Sequence, residues 1–341
     1  MHSFFVFLFI LVVQHETEDE RSQKMEKEIY YNELMERWFE AQGTQLAASS
    51  YAKYYQLYTN HIRPFFGGVK VSDLSEELLE QFRGELESRK ACRCGRALSG
   101  STVKCVIMLV NRGLSEAQRE QFLDRAMRIS AKCQRSRTEI QVFSEAEQRR
   151  LEAYLSSHSD ISRACIYLCL YTGLRIGELC SLTWQDINME EGYIRVERTL
   201  QRLKSRQPEG KRTVLVMGKP KSSSSDRVIP FPDFMREKLE GFRYTGKEKG
   251  YILSGSEVDP LDPRTLQYRY KKYLEEAEVP YRKFHTLRHT FASRCLMAGI
   301  DAKTLSELLG HADIRTTLNI YCHTTLQYKK EQVNRLQPFF S

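Results

Sequence analysis

The feature that most constrains the fold is the confinement of strand-like sequence to one stretch of an otherwise helix-patterned chain. Strand character is predicted for Tyr193–Leu200, Thr213–Met217 and Arg227–Pro230, which are separated by polar loops. Elsewhere, apolar residues recur mainly at the three- and four-residue spacing of amphipathic helices. The sequence therefore predicts a mainly α-helical protein with one small antiparallel β-sheet in its second half.

The length of the chain predicts two domains. A chain of 341 residues exceeds what a single hydrophobic core usually serves. The first hundred-odd residues are helix-patterned throughout, whereas the strand-like segments all follow Phe143. We therefore expect a helical domain over residues 25–133, a basic linker over 134–142 and a second domain over 143–341.

A run of basic residues lies just before the predicted linker. Arg125, Arg128 and Lys132 fall on one face of a helix predicted for Ser115–Lys132, and the run extends without an acidic residue to Thr138. The net charge of +8 is compatible with a polyanionic partner. Two interpretations stay open, namely a solvated helix face and a helix that lies along a phosphate backbone.

Residues 1–24 are interpreted separately from the fold. The apolar run Phe4–Val13 is too short to span a bilayer, and His2 is the only residue before it with any basic character. A translated leader, a weak membrane-surface anchor and an export signal are the three interpretations. We favour a non-structural leader, with the true start at Met25.

The cysteines indicate a reducing compartment. There are nine, an odd number, and they are scattered along the chain. The Cys92-x-Cys94 pair lacks the spacing and the nearby histidine of a zinc site. We predict free thiols, no metal site and a cytoplasmic location.

Separated basic residues precede a late tyrosine. Arg175 follows a predicted tight turn, and His285 and Arg288 are three positions apart at the start of a helix, whose positive end suits an anion. His311 comes after Gly310 at a predicted helix end, ten residues before Tyr321. Singly, each has an ordinary explanation: a histidine can cap a helix, and Arg175 can pair with Glu178.

Together, in this order and at these spacings, these motifs resemble the tyrosine recombinase (phage integrase) family. Thr172-Gly-Leu-Arg175-Ile-Gly-Glu-Leu is similar to its arginine box, His285-Thr-Leu-Arg288 to its His-x-x-Arg box and Leu-Gly-His311 to its third motif. The resemblance covers the chain after Met25. It implies a helical, SAM-like core-binding domain followed by a mixed α/β catalytic domain.

The resemblance also implies a division of chemical roles. Tyr321 would be the nucleophile that forms a phosphotyrosine, and Arg175 and Arg288 would bind the non-bridging phosphate oxygens. Lys221 would protonate the leaving 5′ oxygen from a hairpin between the second and third predicted strands, with Lys219 as the alternative. His285 would accept or relay the tyrosine proton, and His311 would hydrogen-bond the phosphate. No cofactor is expected, because rejoining reverses the cleavage.

The implied partner is duplex DNA that carries a specific recombination site. Arg125, Arg128, Lys132 and Lys219 are the candidate DNA contacts. The family also implies a clamp around DNA, a homotetramer on DNA and a possible accessory DNA-bending or excision factor. The tail beyond the nucleophile could dock on a neighbouring subunit or on its own domain. Integration and excision of a mobile element is the favoured function; an Xer-like dimer resolvase and a catalytically silent DNA-binding regulator are the alternatives.

Overall fold

The computed structural model describes residues 29–88, 98–132, 141–157, 160–205, 213–219, 226–243, 250–321, 330 and 333–334. The chain divides into two compact units, Met1–Arg137 and Thr138–Ser341. Each unit has its own hydrophobic core. Among the described residues, no helix is both long enough and apolar enough to cross a membrane.

The described part of the first unit is helical. Its helices are α1 (Tyr31–Gln42), α2 (Ala48–Leu57), α3 (Arg63–Phe66), α4 (Glu76–Ser88) and α5 (Gly100–Arg119). A π-helical turn, Tyr58–Ile62, connects α2 to α3, and a short 3-10 turn spans Val71–Asp73.

Aromatic side chains make up much of the first core. Tyr31 is fully buried, and its hydroxyl donates to the Val110 carbonyl at 3.1 Å, which ties α1 to α5. Tyr58 is also fully buried, and the ring of Phe39 lies 5.3 Å from its ring between centroids. The tyrosines one and two turns before Tyr58 are half-buried against the same core. These tyrosines, which recur at helical spacing, therefore form packing surface.

The predicted helix Ser115–Lys132 is wrong beyond Arg119. Helix α5 ends at Arg119, Gln121 adopts a left-handed backbone with φ of 62°, and the Phe122 amide donates back to Ala117. The chain then reverses and runs extended alongside α5. Because side chains alternate in an extended segment, Met127 and Ile129 are buried while Arg128 and Lys132 are exposed.

Arg125, Arg128 and Lys132 consequently share no helix face. Arg125 lies in a bend, with a guanidinium nitrogen 3.7 Å from Glu76. The Lys132 backbone amide donates to a Glu87 carboxylate oxygen at 3.1 Å.

The second unit combines helices with two small sheets. Its helices are α6 (Glu145–Ser156), α7 (Ile161–Thr172), α8 (Ile176–Ser181), α9 (Asp233–Arg243), α10 (Pro263–Glu276), α11 (His285–Met297), α12 (Ala302–Leu309) and α13 (Ile314–Tyr321). Its strands are β1 (Ile187–Asn188), β2 (Tyr193–Val196), β3 (Thr199–Lys204), β4 (Thr213–Gly218) and β5 (Arg227–Pro230). A 3-10 turn, Trp184–Asp186, precedes β1.

The strands form two antiparallel sheets where the sequence predicts one. Strands β1, β2 and β5 make a three-stranded sheet, and β3 pairs with β4 alone. The predicted strand Tyr193–Leu200 is therefore two strands, split at Glu197 and Arg198. The Arg198 guanidinium donates to Asp186 at 2.6 Å and its carbonyl accepts from the Ser181 hydroxyl, which turns the chain out of the first sheet.

The sequence resemblance places Lys221, with Lys219 as the alternative, in a hairpin between the second and third predicted strands, and the strand pairing corrects this. Strand β4 pairs with β3, and β5 pairs with β2, so the chain that carries Lys219 and Lys221 connects two sheets and is not a hairpin between paired strands. The hairpin of this region is instead the one that joins β3 to β4.

Helix α7 lies at the centre of the second core. After Arg163 its sequence is almost entirely apolar. The seven residues from Ala164 to Leu170 are all buried, and Tyr171 is half-buried. A helix that is hydrophobic all round needs neighbours on all sides. This central position fixes the C-terminal end of α7, from which Arg175 projects.

Candidate active site

A left-handed glycine creates the turn that presents Arg175. Helix α7 ends at Gly173, whose φ is 64°. A Cβ atom at this position would lie 2.6 Å from the Phe291 ring, so glycine is required both for the backbone conformation and for the space. Two residues later, Arg175 takes the N-cap position of α8.

Arg175 and Glu178 hold each other across the first turn of α8. The Arg175 amide donates to Glu178 Oε2 at 2.9 Å, and its guanidinium donates to Oε1 at 2.6 Å. The Arg175 side chain keeps 34% of its surface exposed, whereas Glu178 is almost fully buried. The ion pair that sequence reasoning offered as the ordinary explanation thus exists, and it leaves part of the guanidinium accessible.

A second arginine completes the environment of Glu178. The buried Arg227 guanidinium, at the start of β5, donates to Glu178 Oε1 at 3.1 Å and to Oε2 at 3.0 Å. Burial by itself raises the pKa of Glu178, but Arg227 and then Arg175 outweigh this effect and hold the pKa below its ordinary value. Glu178 is therefore a carboxylate that fixes two cations.

Three arginines converge on the C-terminal end of α12. Arg227 donates to the Leu308 carbonyl at 2.7 Å, Arg288 to the Leu309 carbonyl, and Arg175 to the Gly310 carbonyl at 3.2 Å. The last carbonyls of a helix lack partners within the helix and carry the negative end of its dipole. The end of α12 is therefore a rigid acceptor for three guanidiniums, which brings side chains from distant parts of the chain together.

Arg288 is the most deeply buried member of this group. It keeps 3% of its surface, and it also donates to the Gly173 carbonyl at 2.9 Å. Burial, reinforced by the nearby Arg175, lowers the pKa of Arg288 to about 9, so it stays charged at neutral pH.

His285 begins α11, one turn before Arg288. Its ring packs edge-on against His289, with 4.7 Å between the ring centroids. Crowding by surrounding protein, followed by the charges of His289 and Arg288, lowers the pKa of His285 to about 4, although the residue as a whole stays exposed. His285 is therefore a neutral imidazole at neutral pH, able to accept a proton.

His311 follows the left-handed Gly310 that ends α12. Its amide donates to the Ser306 carbonyl at 3.0 Å, and its Nδ1 lies 2.8 Å from Thr317 Oγ1 in α13. Burial and then the charges of Arg288 and Arg175 lower the pKa of His311 to about 4. This second imidazole is also neutral at neutral pH.

The remaining candidates are described in part. Tyr321 is the last residue of α13, the helix that begins three residues after His311, and its side chain lies outside the described atoms. Lys219 is exposed directly after β4, and Lys221 lies outside the described residues. Arg125, Arg128 and Lys132 belong to the first unit.

The chemistry of this cluster is that of an anion site. Glu178 is the carboxylate in direct contact with Arg175 and Arg227, whereas Arg288 is held by the Gly173 and Leu309 carbonyls. Three guanidiniums against one carboxylate leave an excess of positive charge beside the two neutral histidines. Fixed guanidinium donors suit the oxygens of a phosphate. In the part of the chain that the structure describes, no cluster of three or more His, Cys, Asp or Glu side chains could hold a metal ion.

Sequence reasoning missed two residues of this site, Arg227 and Thr317. A signal for the first was present, because Arg227 alternates with Val228 and so shares the inward face of β5 with the fully buried Ile229. A signal for the second was the four-residue spacing from Thr317 to Tyr321, which puts both on one face of α13.

Comparisons with known proteins agree with the fold and the motifs. The model of the phage integrase family matches residues 140–327, and that of the phage integrase N-terminal SAM-like domain matches residues 30–86. The chain is 29% identical over 338 residues to the tyrosine recombinase XerC-like protein of Caldanaerobacter subterraneus subsp. tengcongensis, covering 92% of this chain and 84% of the relative. It is 31% identical over 197 residues to tyrosine recombinase XerA of Pyrococcus furiosus, covering 57% and 60%.

Solved structures show the same fold at low sequence identity. The integrase of transposon Tn1549, in complex with a circular intermediate DNA, matches with a TM-score of 0.69 and 19% identity over 91% of this chain and all of that one. A lambda integrase tetramer bound to a Holliday junction matches with a TM-score of 0.60 and 17% identity, covering 86% and 77%.

The chain belongs to the phage integrase family. It is a site-specific tyrosine recombinase, with a helical SAM-like N-terminal domain and a mixed α/β catalytic domain.

Proposed function

We propose that this recombinase cleaves and rejoins duplex DNA through a 3′-phosphotyrosyl link to Tyr321, and that it integrates and excises a mobile element. The observation that carries the cleavage chemistry is the convergence of Arg175, Arg288 and His311 at the C-terminal end of α12. The helix that ends at Tyr321 follows at once.

The arginines would bind the scissile phosphate. In the five-coordinate transition state the phosphate oxygens carry additional negative charge, which fixed donors stabilise most strongly when they need no reorganisation. Arg288 is held by two carbonyls and Arg175 by Glu178 and the Gly310 carbonyl, so both are positioned before DNA binds. His311 would add a neutral hydrogen bond to the same phosphate.

Two proton transfers would accompany cleavage. The Tyr321 oxygen forms the new bond to phosphorus as His285, neutral because of its lowered pKa, accepts the phenolic proton. The bond from phosphorus to the 5′ oxygen breaks, and Lys221 donates a proton to that oxygen, with Lys219 as the alternative donor. Rejoining runs the same transfers backwards, so the bond energy is kept in the phosphotyrosine.

The first unit offers a separate basic surface for DNA. A groove of about 570 Å³ lies between α5 and the extended segment, and Lys104, Arg112 and Arg128 are among its lining residues. Arg128 and Lys132 alternate outward along that segment, and Arg125 precedes them. These side chains, together with Lys219 after β4, would contact phosphates and make binding salt-dependent.

The assembly would be a homotetramer on a specific DNA site, as in the lambda integrase tetramer bound to a Holliday junction. An accessory DNA-bending or excision factor could set the direction of the reaction. Because its substrate would be genomic DNA, we expect the enzyme to be cytoplasmic and associated with the nucleoid.

Chromosome or plasmid dimer resolution is the second candidate function. It is favoured by the relatives named XerC-like and XerA, whereas the Tn1549 integrase favours the mobile element. The two functions share the chemistry of cleavage and differ in the DNA site.

A nicked substrate tests the cleavage chemistry. The substrate is DNA that carries the ends of the protein's own genetic element and is nicked a few nucleotides to the 3′ side of the expected cleavage position. Attack then releases a short fragment with a free 5′ hydroxyl, and its loss traps the covalent intermediate. We expect a protein–DNA adduct on a denaturing gel, and none with Tyr321→Phe. DNA that is bound without any adduct would instead support the silent DNA-binding regulator.

The same assay separates the two candidate functions. Duplexes that carry the element ends and duplexes that carry the chromosomal dimer-resolution site of the host are compared at equal concentration. Adduct formation on the element ends alone supports the integrase, and adduct formation on the chromosomal site alone supports the Xer-like resolvase.

A further inference from the structure

The hydrogen bond between His311 and Thr317 links two parts of the site. His311 belongs to the turn after α12, and Thr317 lies in the middle of α13, four residues before Tyr321. His311 Nδ1 and Thr317 Oγ1 are 2.8 Å apart, and Thr317 is fully buried. A buried hydroxyl that contacts a catalytic histidine is a candidate for setting which ring nitrogen carries the proton.

Which ring nitrogen of His311 carries the proton determines whether the ring can donate a hydrogen bond to a phosphate. Because burial, and then the charges of Arg288 and Arg175, lower the pKa of His311 to about 4, the ring is neutral at neutral pH and carries one proton, on either Nδ1 or Nε2. A ring with the proton on Nδ1 would direct a bare Nε2 towards an incoming phosphate and repel it. A ring with the proton on Nε2 would donate to the phosphate.

The hydroxyl can stabilise only one of these forms by donating its own proton. If Nδ1 carried the proton, the Thr317 O–H group would need another acceptor, and among the described residues the structure gives this hydroxyl no other hydrogen bond. If Nδ1 is bare, it accepts from the Thr317 O–H group and both groups are satisfied. An unsatisfied buried donor is costly, so the second arrangement is favoured.

We infer that Thr317 is a positioning residue that donates to His311 Nδ1 and thereby keeps the proton of the neutral ring on Nε2, ready to donate to the scissile phosphate. The inference rests on the proposed function for the role of that phosphate. It assigns to Thr317 no contact with substrate.

Nuclear magnetic resonance of the full chain labelled with ¹⁵N-histidine tests the tautomer without DNA or catalysis. The His311 signals are assigned by their loss in His311→Gln. At neutral pH, we expect Nδ1 at the chemical shift of an unprotonated imidazole nitrogen and Nε2 at that of a protonated one. A protonated Nδ1 in the wild-type protein would overturn the inference.

Substitution separates positioning from packing. Thr317→Val keeps the shape and removes the hydroxyl, so we expect mixed tautomers at His311 and a loss of about 10- to 100-fold in the rate of adduct formation on nicked DNA. Thr317→Ser restores the hydroxyl and should recover both the tautomer and most of the rate. Thr316→Val, an exposed neighbour in the same helix, is the matched control and should change neither.

The two readouts keep the inference distinct from the proposed function. If the wild-type protein forms no adduct while its tautomer is as expected, the proposed chemistry fails and the inference about the ring stands. If the adduct forms but Thr317→Val leaves the tautomer unchanged, the inference fails and the proposed function stands. If Thr317→Val does not fold, the inference is still tested by two results. A protonated Nδ1 in the wild-type protein would overturn it, and so would a Thr317→Ser protein that folds but loses the adduct-forming rate.

Discussion

At the scale of single residues, the Glu178 carboxylate holds the candidate site together. It is 2% exposed and satisfies hydrogen bonds from Arg175 and Arg227 at once. A buried ion pair adds little stability relative to apolar packing, but removing one partner leaves buried charge without compensation. The ion pairs of Glu178 therefore add little net stability, but loss of the carboxylate would leave the charges of Arg175 and Arg227 uncompensated.

We expect Glu178→Gln to lower the free energy of unfolding by about 3 kcal/mol, because two guanidiniums lose their counter-charge in a buried setting. Urea denaturation of the full chain measures this change. Glu145→Gln, which disturbs an exposed pair with Arg149, should cost less than about 0.5 kcal/mol. Equal effects of the two substitutions would show that Glu178 is not a buried counter-ion.

The two histidines of the candidate site also predict a pH dependence of stability. The pKa values of His285 and His311 are lowered to about 4 from 6.5, so the unfolded chain binds their protons first as the pH falls. The free energy of unfolding should decrease from about pH 6.5 to about pH 4 through these two groups. Urea denaturation across this range should give a shallower decrease for His311→Gln, and an unchanged slope would contradict the lowered pKa.

At the scale of secondary-structure elements, the partnership of α5 with the extended segment is held by one amide side chain. Asn111 Oδ1 accepts from the Ile129 amide at 2.9 Å, and Asn111 Nδ2 donates to the Ile129 carbonyl at 2.8 Å. The Asn111 side chain thus satisfies both backbone groups of Ile129, as a neighbouring strand would in a β-sheet. It also fixes which residues of the segment are buried and which, including Arg128, face outward.

Asn111→Ala should release this segment. We expect faster hydrogen exchange at the Ile129 amide and faster tryptic cleavage after Arg125 and Arg128, with about 1–2 kcal/mol of stability lost. Ser115→Ala removes a hydroxyl that bonds only within α5, and it is the matched control. If Asn111→Ala leaves the exchange of Ile129 unchanged, apolar burial of Met127 and Ile129 holds the segment without the amide.

The boundaries of helices and strands could be predicted from the sequence only where local signals mark them. Helix α11 begins at His285 as predicted, and β5 spans Arg227–Pro230 as predicted. The end of α5 was missed because an amphipathic pattern continues past Arg119. The helix ends where Gln121 adopts a left-handed backbone and the Phe122 amide donates back to the Ala117 carbonyl.

The site shows the same division between local and tertiary information. The motifs locate Arg175, His285, Arg288 and His311 by residue type and spacing, whereas Arg227 acquires its place only through contacts with Glu178 and the Leu308 carbonyl. The separation of β3 and β4 from the other strands also depends on pairing that no local pattern specifies.

At the scale of the whole molecule, the two units carry different parts of the proposed activity. The second unit contains the candidate anion site, and the first contains the groove that Arg128 lines. If Arg128 contacts a DNA phosphate, Arg128→Gln should weaken binding to all sequences similarly and reduce the salt slope of the association constant by about one. Fluorescence anisotropy over a salt series measures this slope.

The matched control for that prediction is Arg149→Gln. Arg149 is exposed in the second unit and changes the net charge by the same amount, so its loss tests whether total charge alone explains the effect. Identical slopes for Arg128→Gln, Arg149→Gln and the wild-type protein would contradict a phosphate contact at Arg128.

In the proposed reaction, Tyr321 becomes linked to the 3′ phosphate at the cleavage site. The most direct test of this linkage is mass spectrometry of the adduct trapped on nicked DNA, after digestion of both the protein and the nucleic acid. We predict a single modified peptide that carries a nucleotide on Tyr321 through its 3′ phosphate, with a free 5′ hydroxyl on the released strand. A nucleotide on any other residue, or a linkage through a 5′ phosphate, would contradict the account.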